Sequence, residues 1–224
     1  MIEIESTIEA RFAYPVALNV VGRRCVVVGG GPVGARRATG LADAGAAVII
    51  VSPTVCPDVE LVVGYGAAQH IAAEFAPAHL SGAFLVIAAT DSPVVNAFIA
   101  RTAADLCVLC NLAAPGDDNG SGDFATLAAM RRGDLMFAVT TGGAGPALSA
   151  KLRRDLSDRY GAEWGAVVAL MGKVRDAAKE ALPDTESRTA AMRTLANNAE
   201  RLAFLIEAGD TETAWKEAFA CLIP

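Results

Sequence analysis

Arg24-Cys25-Val26-Val27-Val28-Gly29-Gly30-Gly31-Pro32-Val33-Gly34 decides the fold. A short apolar run ends abruptly in three glycines, and a helical pattern of small and apolar residues follows from Val33 to Ala44. Gly45 is a natural stop for that helix. Val48–Val51 is β-branched and uninterrupted, which reads as a buried parallel strand. Strand, glycine turn, helix and strand make a βαβ unit. Within it, Gly29-x-Gly31-x-x-Gly34 has the spacing of a phosphate-binding turn. The first glycine permits the tight turn, the second lets a pyrophosphate approach the backbone, and the third allows close helix–strand packing.

The alternation continues downstream. Gln69–Ala73 reads as a third strand and Phe84–Ala89 as a fourth. Ser92–Ala104 reads as a helix with Ser92 as N-cap and Pro93 at its first position, and Leu106–Leu109 as the next strand. This predicts an α/β fold, a Rossmann-type doubly wound parallel sheet ending near Asn111. Ala113–Gly122 is rich in turn residues. Phe124–Met130 and Leu135–Thr140 are expected to form antiparallel strands joined by Arg131-Arg132-Gly133-Asp134. Thr141–Gly145 is a glycine loop, Pro146 opens a helix over Ala147–Arg159, and Trp164–Cys221 is helical, broken at Pro183-Asp184 and Gly209-Asp210. The expected domains are a dinucleotide-binding domain over 1–112, a loop with dimerisation strands over 113–145, and a helical domain over 146–224.

Bulk properties bound the function. The 224 residues are 53% apolar and 20% charged, enough for a buried core. A net charge of −6 and a pI near 5.0 argue against a nucleic-acid binder. No apolar stretch is long enough to suggest a membrane span, and the acidic Met1–Glu5 is unlike a signal peptide, so the expectation is a cytoplasmic protein. Five scattered cysteines do not look like a disulfide framework. Cys107 and Cys110, three apart on a strand, would face opposite ways and read as structural. His70 and His79 have no ligand cluster around them, and no bound metal is expected.

Ser52-Pro53-Thr54 stands where many NAD-binding units carry an acid for the ribose hydroxyls. No arginine follows closely, so NAD is favoured over NADP. Thr90 and Asp91 follow the small Ala88-Ala89 at the end of the fourth strand, where ligands bind in such sheets. The candidate cofactor residues are therefore Gly29, Gly31, Pro32, Val33, Gly34, Ser52, Pro53, Thr54, Thr90 and Asp91. Asp117, Asp118 and Asp123 could serve as a general acid or base on the loop, or form a solvated turn. Arg131, Arg132, Lys151, Arg153 and Arg154 gather around the second glycine loop, a patch suited to a substrate with several carboxylates, or a solvated helix face.

Taken in order, Tyr14–Arg24, Val26–Arg37, Ala88-Ala89-Thr90-Asp91, Asn111, Arg132-Gly133-Asp134-Leu135, Thr141-Gly142-Gly143 and Pro146-Ala147-Leu148 resemble the precorrin-2 dehydrogenase family, the dehydrogenase module of sirohaem synthases. The resemblance covers roughly residues 12–160. It implies NAD-dependent oxidation of precorrin-2, an anionic tetrapyrrole, to sirohydrochlorin in sirohaem and sometimes cobalamin biosynthesis. It also implies a homodimer and a substrate loop at Thr141-Gly142-Gly143; these residues, Asn111, and Lys151 and Arg153 of the cationic patch are the candidate substrate contacts. The family places its acid/base Asp after Asn and two small residues. Counting without a gap reaches Ala114, whereas a three-residue insertion aligns Asp117-Asp118 ahead of Gly122-Asp123-Phe124. The role is carried to Asp117, with Asp118 as reserve. Two alternatives stay open: a bifunctional dehydrogenase and sirohydrochlorin ferrochelatase, and a nucleotide-sensing module without turnover.

Overall fold

The computed structural model describes residues 14–113 and 122–222. They divide into two compact units, one up to Thr126 and one from Leu127 onward.

The first unit is built on five parallel strands: β1 (Arg24–Val28), β2 (Ala47–Val51), β3 (Ala68–Ile71), β4 (Leu85–Ala88) and β5 (Leu109–Leu112). Their spatial order is β3-β2-β1-β4-β5. β1 pairs with β2 from Arg24 opposite Ala47 to Val28 opposite Val51, and with β4 from Cys25 opposite Leu85 to Val28 opposite Ala88. Uninterrupted apolar strands suit a sheet covered on both faces. Side chains alternate accordingly: Cys25, Val27, Val48 and Ile50 join the core on one face, and Val26, Val28, Val51 and Val86 join that on the other.

Helix α1 (Pro32–Asp43) follows β1, and its buried face is made of Gly34, Ala35 and Ala38. Such small residues let the helix lie close to the sheet. Helix α2 (Pro57–Gly64) connects β2 to β3, with Val59 fully buried. A short 3-10 turn, Pro77–Leu80, precedes β4. Helix α3 (Pro93–Asp105) begins as expected, with the Ser92 hydroxyl accepting from the Val95 amide.

The fifth strand is displaced from the expected Leu106–Leu109. Helix α3 runs on to Asp105, Leu106 caps it, and Cys107 turns the chain with φ +55 before the strand starts at Leu109. Cys107 is thus an exposed turn residue, and of this pair only Cys110 is a buried strand residue. The strand expected from Phe124 is displaced too, because residues 122–124 are engaged elsewhere. The Asp123 amide donates to the Cys110 carbonyl, the Asp123 carboxylate accepts from the Cys110 amide at 2.8 Å, and Asn111 Nδ2 donates to the Phe124 carbonyl.

The second unit starts with the antiparallel pair β6 (Ala128–Arg132) and β7 (Leu135–Val139), running from Ala128 opposite Val139 to Arg132 opposite Leu135. Arg131 and Arg132 are strand residues rather than turn residues. The turn is Gly133-Asp134 alone, with Gly133 at φ +56 as a two-residue hairpin requires. Helices α4 (Pro146–Arg159), α5 (Glu163–Ala181), α6 (Thr185–Asn197), α7 (Ala199–Glu207) and α8 (Thr211–Ala220) follow. Val167, Leu170, Val174, Leu195 and Leu202 centre a separate core among them. Phe137 on β7 stacks toward Tyr160, which meets Trp164 edge-on, with ring centroids 4.8 and 5.0 Å apart. Arg132 donates to the Ser157 hydroxyl and carbonyl, tying the hairpin to α4.

Candidate functional site

The carboxyl ends of β1, β2 and β4 open onto one cleft of about 740 Å³. It lies where the strand order reverses between β1 and β4, the place at which open α/β sheets take ligands. Nine of the ten candidate cofactor residues line it: Gly29, Gly31, Pro32, Val33, Ser52, Pro53, Thr54, Thr90 and Asp91. The tenth, Gly34, lies beneath the loop: a Cβ there would stand 2.1 Å from the Gly29 carbonyl oxygen.

Each glycine of the loop is required for a different reason. Gly29 has φ +126, and a Cβ there would meet the Ala89 carbonyl oxygen at 2.3 Å. Gly30, which the spacing rule leaves unassigned, is equally constrained: its Cβ would come within 2.0 Å of the Thr54 carbonyl oxygen. Gly31 is different. A Cβ there would meet no protein atom within 4 Å, although the residue lines the cleft. It is also the N-cap of α1, and no side chain caps that end. The first-turn amides of α1 have no intrahelical acceptor and carry the positive end of the helix dipole. Open space over bare amides fits a pyrophosphate.

The wall at the end of β2 is held by its own hydrogen bonds. The Ser52 hydroxyl donates to the Thr54 carbonyl at 2.7 Å, His70 Nε2 donates to the Ser52 carbonyl, and the Ser52 amide donates to the Ile71 carbonyl. The opposite wall is pinned by a residue that sequence reasoning missed. Asn96, buried on α3, accepts through Oδ1 from the Thr90 hydroxyl at 2.7 Å and from the Thr90 amide at 3.2 Å, and donates to the Thr90 carbonyl. Its only sequence signal is an asparagine one turn into a helix that starts at a strand end. Glu74 and Phe75, on the loop after β3, also line the cleft and were not foreseen.

The candidate substrate residues fall into two groups. Asn111 lies on β5, outside the cleft lining, and its buried Oδ1 has no partner among the described residues. Thr141, Gly142, Gly143, Lys151 and Arg153 belong to the second unit. The Thr141 hydroxyl accepts from the Gly145 amide and pairs with Ser149, bracing a loop in which Gly142 and Gly143 have φ +64 and +91. Lys151 forms an ion pair with Asp155. Asp117 and Asp118 lie outside the described residues. Among the described residues no group of three or more His, Cys, Asp or Glu could hold a metal ion, and no helix is long and apolar enough to cross a membrane. The buried thiols of Cys25 and Cys110 are pushed up to about 11 by burial, that of Cys110 also by the Asp123 carboxylate.

Fold and cleft together define a dinucleotide-binding α/β protein with a helical second unit. Residues 16–128 match the family described as "Putative NAD(P)-binding", and the chain belongs to that family. The siroheme synthase of Chromobacterium violaceum is 34% identical over 175 residues, which is 78% of this chain and 37% of that protein. Siroheme synthase 2 of Aeromonas salmonicida is 37% identical over 201 residues, 89% of this chain and 40% of that protein. The chain thus spans about two fifths of the length of these curated relatives. A solved structure named SirC, precorrin-2 dehydrogenase, superposes with a TM-score of 0.72 over 92% of this chain and 98% of that one, at 23% identity, and so shares the fold.

Proposed function

We propose that the chain is an NAD-dependent dehydrogenase that oxidises precorrin-2 to sirohydrochlorin in sirohaem biosynthesis. The observation that carries this reading is the dinucleotide cleft itself, complete in a chain whose curated relatives are named siroheme synthases. The amides of Val33 and Gly34 at the start of α1 bind the pyrophosphate over the open face of Gly31. Ser52–Thr54 borders the adenosine end and Ala89–Asp91 the nicotinamide end. When bound, the nicotinamide supplies the hydride acceptor. Asn96 holds the Thr90 backbone still, so the ring meets a rigid wall. Asp117 takes the proton that must leave the tetrapyrrole as hydride departs. Thr141–Gly143, with Lys151 and Arg153, receives the substrate's carboxylates.

The hairpin β6–β7, with Met136 exposed, is the surface assigned to a homodimer, which sedimentation equilibrium tests. Five free thiols suit a reducing cytoplasm. The decisive assay is anaerobic incubation with precorrin-2 and NAD+, following NADH. Steady NADH formation is expected, and its absence at high enzyme concentration overturns the reading. Asp117→Ala should lower turnover about 100-fold or more while NAD+ affinity is kept. Unchanged turnover would remove Asp117 from the role.

A further inference from the structure

The cleft has an uneven charge. Among the described residues that line it, two are acidic, Glu74 and Asp91, and none is Lys, Arg or His. The two acids stand at different strand ends. Asp91 follows β4, whereas Glu74 is on the loop that leaves β3, the strand paired to β2 on the side away from β1. Dinucleotide sheets of this order commonly carry a ribose-binding acid at the end of the second strand. Here Ser52 holds that place, and its hydroxyl is engaged by the Thr54 carbonyl. A carboxylate is nonetheless supplied from the next strand over.

We propose that Glu74 performs the ribose-reading role that Ser52 cannot, accepting from the adenosine 2′-hydroxyl of NAD and excluding the 2′-phosphate of NADP. The assignment rests on the reading of the cleft as a dinucleotide site. The position of Glu74 is set by its surroundings. The ends of β2 and β3 are tied by the Ser52 amide to the Ile71 carbonyl and by His70 Nε2 to the Ser52 carbonyl. The next residue, Phe75, is packed edge-on against Phe98 of α3 with centroids 5.7 Å apart, which anchors the loop. A ribose 2′-hydroxyl has a proton to donate to a carboxylate. A 2′-phosphate has none at neutral pH, carries close to two negative charges, and would meet Glu74 with no described cation in the lining to offset it.

The test is isothermal titration of the full chain with NAD+ and with NADP+, at low and at physiological salt. Wild type is expected to favour NAD+. Repulsion between a single and a double charge about 6 Å apart under water-like screening corresponds to about tenfold in affinity. Glu74→Gln should therefore tighten NADP+ about tenfold relative to NAD+. The wild-type preference should shrink as salt is raised, and that of the variant should be nearly flat. Asp91→Asn makes the same change in net charge at the other end of the cleft and should move the ratio much less. Glu74→Ala carries the test if circular dichroism shows the glutamine variant to be misfolded. An unchanged ratio in the Glu74 variants, or an equal shift in Asp91→Asn, overturns the assignment and leaves the dinucleotide site standing. Binding of neither dinucleotide by the wild type overturns both.

Discussion

Gly34→Ala isolates the packing on which the cleft depends. The residue is helical, so the change creates no backbone strain of its own. The difficulty is contact: the new methyl would lie 2.1 Å from the Gly29 carbonyl oxygen and 3.0 Å from the Gly29 carbonyl carbon. Both are backbone atoms on the loop, so neither can swing aside as a flexible side chain would. Restoring an ordinary contact requires α1 and the loop to part by about 1 Å, with the buried Ala35 and Ala38 carried along. Over-packing of this kind costs about 1–3 kcal/mol. At ~2–4 °C per kcal/mol for a chain of this size, the melting temperature should fall by about 2–12 °C. Gly31→Ala is the companion change. Its methyl meets no protein atom within 4 Å, so stability should fall by about 1 kcal/mol or less, from the poorer N-cap alone. NAD+ affinity should nevertheless drop at least about tenfold, because the methyl occupies the space left for the pyrophosphate. Thermal unfolding by circular dichroism and NAD+ titration separate the two effects. A wild-type melting temperature for Gly34→Ala, or wild-type NAD+ affinity for Gly31→Ala, would refute the reasoning.

Asn96→Ala removes every partner that α3 gives to Thr90 and should destabilise the chain by about 1–3 kcal/mol, with turnover falling more than NAD+ affinity; a neutral effect on both would contradict a positioning role. Alkylation by iodoacetamide near pH 8, read by mass spectrometry, should modify the exposed Cys107 well before Cys25 and Cys110, whose thiols lie near 11 and are shielded; labelling of those two should rise steeply with denaturant. Asp184 caps α6, and its carboxyl is held below the ordinary value by bonds from the Ser187 amide and hydroxyl. A depressed folded value means that its contribution is complete above about pH 4 and is lost as the pH falls through that lower value. The melting-temperature gap between wild type and Asp184→Ala should therefore be full at neutral pH and narrow on acidification below that range; a gap independent of pH would contradict it.

The first βαβ unit was legible because each of its signals is local: a β-branched run, three glycines, a glycine that stops the helix. The same holds for Ser92 as a cap and for the breaks at Pro183 and Gly209. What escaped depends on contacts between distant segments. Nothing near Leu106 shows that it caps α3 and that the strand waits until Leu109, since the turn at Cys107 is a non-glycine residue at positive φ. Phe124 reads as the start of a strand, yet Asp123 and Phe124 are held by Cys110 and Asn111, so the hairpin begins four residues later. Helix α2 is only eight residues, too short for its apolar run to announce a helical period. Within the site, Gly30 stands between the positions that the spacing rule names, and only its distance to Thr54 reveals that it is constrained. Glu74 reaches the cleft because β3 lies beside β2, a fact of strand order that spacing along the chain does not carry.

A crystal structure of the chain with NAD+ tests the account most directly. It should place the pyrophosphate within hydrogen-bond reach of the Val33 and Gly34 amides, the adenosine ribose beside Ser52–Thr54 and Glu74, and the nicotinamide against Ala89–Asp91. A dinucleotide bound elsewhere, or saturating NAD+ that leaves this cleft empty, would contradict it.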